Sequence, residues 1–102
     1  MKFSAERESL LAALQSVIGV VERRQTMPIL ANVLLVVKGQ ELSVTGTDLE
    51  VELVARVPLD KSESGGEVTV PGRKLLDICR ALPDDANVQV QLDGDRLVIK
   101  SG

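Results

Sequence analysis

The apolar positions change period several times along the chain, and each change marks an element. Met1 to Ser4 alternates as a short strand does, and Ser4 is suited to cap a helix beginning just after it. From Ala5 to about Glu22, the residues Leu10, Leu14, Val17, Ile18 and Val21 recur at threes and fours, which predicts an amphipathic helix. Gly19 and the β-branched pair Val20-Val21 weaken its end, and Pro28 falls beyond it. Ile29 to Val37 is an almost continuous apolar strand, with Lys38-Gly39-Gln40 as a hairpin turn. Leu42 and Val44 alternate with Ser43 and Thr45, and Gly46-Thr47-Asp48 turns the chain again. Leu49, Val51, Leu53, Ala55 and Val57 then alternate with Asp48, Glu50, Glu52 and Arg56, a strand with one apolar and one charged face. Leu59 to Gly66 is polar, contains Ser and Gly, and reads as a linker.

After that linker the pattern starts again. Glu67 to Val70 is a short strand, and Pro71 suits a first helical turn. Leu75, Leu76, Cys79 and Leu82 recur at helical spacing until Pro83. Asn87 to Leu92 alternates Val88, Val90 and Leu92 with Gln89 and Gln91. Asp93-Gly94 is the strongest short hairpin signal in the chain, and a strand runs from Asp95 to Lys100. The halves read β-α-β-β-β and β-α-β-β, a repeat of architecture without a repeat of residues. Symmetry asks for one more strand after Gly102, so the expectation is a piece of a longer protein. The fold class is α+β, two helices packed on antiparallel sheets.

Composition narrows the possible chemistry. A chain of 102 residues is one domain's worth, and 44% apolar with 26% charged residues is an ordinary globular balance. The apolar runs fall far short of the ~20 residues of a membrane span, and the charged start lacks an apolar signal core. The chain therefore reads as cytoplasmic, with no membrane partner. One cysteine excludes an internal disulfide, and the lack of histidine removes the commonest metal ligand and general base. Phe3 is the only aromatic residue, which argues against a stacking platform for unpaired bases.

The net charge of −3 argues at first against a nucleic-acid partner, but the charge is segregated. Residues 1–27 and 71–82 together carry net +3, and the rest carries −6. Arg73 and Arg80, seven apart, share one helical face about 10.5 Å from each other. Asp77 lies between them, so the residues alone fit either a solvated face laced with ion pairs or a cationic contact surface. Arg23 and Arg24 end the first helix, where positive charge also complements the helix dipole. Asp48, Glu50 and Glu52 share a strand face and could suggest a divalent metal, although a polar face that blocks edge aggregation explains them more simply. Cys79 lies on an apolar stripe with no histidine to activate it, so it reads as inert. No glycines are arranged as a phosphate-binding loop. The expectation is no catalytic residue, no metal and no cofactor.

Three segments in order resemble a known family. They are Pro28-Ile29-Leu30-Ala31-Asn32-Val33-Leu34-Leu35, then Leu42 through Gly46-Thr47-Asp48-Leu49-Glu50, then Val70-Pro71-Gly72-Arg73-Lys74-Leu75-Leu76-Asp77-Ile78-Cys79-Arg80-Ala81-Leu82-Pro83. Together they are similar to the first domain of the bacterial DNA sliding clamps, the beta subunits of the replicative DNA polymerase III. Met1-Lys2-Phe3, Gln91-Leu92 and Lys100-Ser101-Gly102 fit the same register, so the resemblance spans the whole chain. It implies a DNA-clamp fold in which residues 1–102 are the first of three domains, cut just before its final strand. It further implies a head-to-tail homodimer that closes a ring around double-stranded DNA. Helices would line the hole, and contacts would be to phosphates without sequence preference.

The resemblance also assigns residues. Arg24, Arg73 and Arg80, with Arg23, would face DNA. Lys74, Ile78 and Leu82 on one helix edge, with Arg96 on a nearby strand, would meet the third domain of the other subunit. Some family members carry a lysine along the first helix where this chain has Ala12, which implies a weaker contribution there. DNA polymerase and clamp loader would bind through domains absent from this chain. The implied role is that of a non-catalytic processivity factor. The rival readings are a generic α+β interaction domain, or a small metal-dependent enzyme built on Asp48, Glu50 and Glu52.

Overall fold

The computed structural model describes residues 1–24, 32–47 and 52–101, the side chains of 20–24 and 47 excepted. In chain order the elements are β1 (Lys2–Glu6), α1 (Arg7–Arg24), β2 (Asn32–Lys38), β3 (Glu41–Thr47), β4 (Glu52–Pro58), β5 (Lys61–Ser64), β6 (Gly66–Pro71), α2 (Gly72–Ala81), β7 (Asn87–Asp93) and β8 (Arg96–Ser101). They form two antiparallel four-stranded sheets, ordered β5-β1-β7-β8 and β4-β3-β2-β6. Each helix carries the chain from one sheet to the other, α1 from β1 to β2 and α2 from β6 to β7. The first strand of each unit then pairs with the second strand of the other: β1 lies beside β7, and β6 beside β2. The two repeats therefore share one core.

That core is aliphatic. Leu10, Leu14, Val17 and Ile18 line the inner face of α1 and are buried, as are Leu75, Leu76 and Cys79 of α2. Alternate residues of the strands meet them, among them Val33, Leu35, Val37, Leu42, Val44, Val88 and Val90. Phe3 is buried in β1. The start of α2 sits close against its neighbours: a Cβ at Gly72 would come within 2.9 Å of Val33 and 3.1 Å of Ile18. Glycine lets the helix take that seat.

Several boundaries move from those the sequence predicts. The stretch read as a linker from Leu59 to Gly66 contains β5, which pairs with β1, Phe3 opposite Ser62. Its polar composition reflects an edge position, where no row of apolar side chains is required. Leu59 anchors its start in the core, and the Asp60 amide donates to the Ser4 carbonyl at 2.9 Å. At the amino terminus β1 runs to Glu6 and α1 starts at Arg7, so Ser4 is a strand residue and caps nothing. Ala5 and Glu6 stay extended because β7 pairs with both, Ala5 opposite Val88 and Glu6 opposite Asn87. Pro71, expected within the first turn of α2, is instead its N-cap, one residue before the helix begins at Gly72, and Leu82 is its extended C-cap. The strand expected from Ile29 is seen from Asn32, and the one expected from Leu49 from Glu52. Residues 29–31 and 49–51 lie outside the described residues.

Candidate nucleic-acid interface

The face of α2 turned away from the core carries Arg73, Lys74, Asp77, Ile78 and Arg80, all exposed. The helix spacing that buries Leu75, Leu76 and Cys79 forces this, because the charged residues fall on the remaining arc. Arg73 Nε lies 3.6 Å from the Asp77 carboxylate and Arg80 Nη1 lies 3.9 Å from the same oxygen. Both contacts are too long for strong hydrogen bonds, so Asp77 offsets part of the positive field without fixing either guanidinium. Two arginines and one lysine against one acid leave this short helix cationic.

Arg23 and Arg24 end α1 as the sequence predicts, but their side chains lie outside the described residues. The segregation of charge also needs one refinement. Lys2 sits in β1 on the outer sheet face, 3.1 Å from Glu63, and Arg7 is tied to Asp84 at 3.3 Å. Neither adds to the helical cationic face. Around Arg7 a shallow hollow of about 350 Å³ is lined by Glu6, Glu8, Asp60, Asp84 and Asp85. Phosphates would be repelled there.

Arg7 itself escaped the sequence reading. Nε donates to the Cys79 carbonyl at 2.9 Å and Nη2 to the Arg80 carbonyl at 3.4 Å, so α1 grips the end of α2. The available signal was a basic residue at the amino-terminal end of a helix, the end that favours acids.

Of the residues expected at a subunit contact, Lys74 and Ile78 are exposed along one edge of α2, and Ile78 lies outside the core at 39% exposure. Leu82 is half-buried against the core edge. Arg96 opens β8, an edge strand of its sheet among the described residues.

Of the three aligned carboxylates, Asp48 and Glu50 lie outside the described residues, and Glu52 is exposed at the start of β4. Among the described residues no group of three His, Cys, Asp or Glu side chains could hold a metal. Cys79 is fully buried, and burial pushes its thiol pKa up against a smaller opposing effect of Arg7. It is a protonated core residue and no nucleophile. No described helix is long and apolar enough to cross a membrane.

Comparison with known proteins bears on the family and the fold. Residues 1–102 match the family described as DNA polymerase III beta subunit, N-terminal domain. The chain is 60% identical over all its 102 residues to the beta sliding clamp of Pseudomonas putida and 54% identical to that of Escherichia coli, and it covers 28% of each. It thus spans little more than a quarter of these curated relatives. Among solved structures it resembles the DNA polymerase III subunit beta of Pseudomonas aeruginosa, with a TM-score of 0.89, 54% identity, and coverage of 100% of this chain and 27% of that one. The Caulobacter crescentus pol III beta structure matches with a TM-score of 0.89 at 44% identity, again over 100% of this chain and 27% of that one.

Proposed function

The chain belongs to the DNA polymerase III beta-subunit family, as its N-terminal domain, and on that footing we propose that it works as the first domain of a ring-shaped sliding clamp. Such a ring encircles duplex DNA, slides along it and keeps a replicative polymerase at the primer end. The role is that of a cytoplasmic processivity factor, and catalysis belongs to a different subunit.

The observation that carries this reading is the cationic outer face of α2 on a domain that is otherwise acidic. A sliding protein needs contacts that are weak and blind to sequence. A few Arg and Lys side chains supply them through counterion release from the phosphates. Excess acid elsewhere opposes static adsorption. Topology then retains the ring, and tethering raises the polymerase's effective concentration. In this reading Arg73, Arg80, Arg24 and Arg23 meet phosphates. Lys74, Ile78, Leu82 and Arg96 meet the other subunit of a head-to-tail homodimer. Polymerase and clamp loader bind domains beyond this chain.

The test uses the full-length protein with Arg24, Arg73 and Arg80 all replaced by Ala. Association with duplex DNA weakens, and the slope of log K against log salt falls by about 3 at most, with no change in sequence preference. The thermal midpoint stays near the parent's, because Arg73 and Arg80 are exposed and such substitutions usually cost less than about 0.5 kcal/mol. A parental salt slope would show these arginines to be only solvated, and unfolding would show them to be structural.

A further inference from the structure

Arg7 stands in the first turn of α1, where its charge opposes its own helix dipole, and its side chain serves α2 instead. Besides its two bonds to the Cys79 and Arg80 carbonyls, Nη1 lies 3.3 Å from Asp84, and only 11% of the side chain is exposed. The Arg7 backbone amide donates to the Ala86 carbonyl at 3.0 Å, so one residue holds both the end of α2 and the turn beyond it. The need for such a grip is visible in α2. The helix ends on Leu82 in an extended conformation, with φ −81° and ψ 156°, and no glycine supplies a left-handed cap. The last carbonyls of a helix lack partners within it. A planar, permanently charged guanidinium suits them, as several donors leave one rigid fork and its charge faces the negative pole.

We propose that Arg7 is a positioning residue for DNA contact: by clamping the last turn of α2, it fixes the direction in which Arg80 projects. The proposal rests on the reading of α2 as a DNA-facing helix. Arg80 lies 3.9 Å from Asp77, too far for that pair to hold it, so its bearing depends on the backbone beneath it. Arg7 meets no phosphate itself. It sits among Glu6, Glu8, Asp84 and Asp85, in a negative setting that repels nucleic acid.

The test is a double-mutant cycle in the full-length protein, with Arg7→Met, Arg80→Ala and both, read as the salt dependence of association with a short mixed-sequence duplex. Arg80→Ala lowers the slope by about 0.9, the worth of one phosphate contact. Arg7→Met lowers it by a similar amount, and the double variant loses no more than Arg80→Ala alone. Additive losses overturn the proposal, because they mean that Arg7 meets phosphate directly. A parental slope for Arg7→Met beside a reduced slope for Arg80→Ala overturns it too. A parental slope for Arg80→Ala removes the reading of α2 beneath it, and the proposal with it. Arg7→Lys guards against a variant that fails to fold, since it keeps the charge but has one ammonium in place of the fork. The Leu82 amide donates to the same Cys79 carbonyl at 3.3 Å. In Arg7→Lys that amide exchanges its hydrogen faster while the strands keep their protection, and unchanged exchange there overturns the proposal.

Discussion

Gly94 turns β7 into β8 with a φ of +65°, and Asp93 pairs with Arg96 across the two-residue loop. Nothing lies within 4 Å of where its Cβ would be, so the demand is conformational and not steric. Gly94→Ala should cost about 1–2 kcal/mol, the left-handed penalty of an L-residue, while Gly94→Asn should cost less. Denaturant midpoints measure this, and an unchanged slope would show that the shift is one of stability and not of the surface exposed on unfolding. This turn was legible in the sequence because all its physics is local to Asp93-Gly94. Arg7 was not, because its acceptors lie 72 and 73 residues along the chain. Arg73 and Arg80 stand between the two cases. Spacing alone puts them on one face with Asp77, yet what that face meets needed the resemblance.

At the level of the elements, β5 is the instructive case. Strands with an apolar face announce themselves: β3, β4 and β7 are read from alternation, and β2 from its almost continuous apolar run. A polar strand at a sheet edge has no such signature. It is extended because β1, at the far end of the chain's first half, offers an open row of backbone groups. Its side chains add a small electrostatic tie. Glu63 lies 3.1 Å from Lys2 of β1 and 3.2 Å from Lys61, and its pKa is lowered below 4.5, first by the hydrogen bond from Lys2 and then by that from Lys61. A lowered carboxylate pKa stabilises the fold above the unfolded value, and that contribution is lost as pH falls through the folded one. Acidification below about 4.5 should therefore loosen the β5–β1 edge. Glu63→Gln should flatten that part of the stability–pH curve in thermal melts. The difference between variant and parent should shrink at high salt, since these side chains are exposed and screened.

Over the whole molecule, a net charge of −3 conceals a basic helix on an acidic body, and only the distribution carries information about a partner. The same holds for the repeat. Its two units were legible as β-α-β-β-β and β-α-β-β, but the sequence does not say that they exchange strands, because pairing partners are set by the tertiary fold. That exchange has a consequence for how the protein is made. A ribosome releases β1 first, yet β1 is flanked by β5 and β7, with Lys2 opposite Gln91. The earliest strand thus waits for one of the latest before both of its edges are paired, and long-range pairing of this kind is slow and leaves edges open meanwhile. A chain stopped after Pro83 should therefore melt without a cooperative transition and show no hydrogen-exchange protection in β1. If such a chain did protect β1, the first unit would be able to fold before the second is complete. Otherwise synthesis delivers nothing stable until β7 has left the exit tunnel, and up to that point the nascent protein depends on whatever shields its unpaired strands.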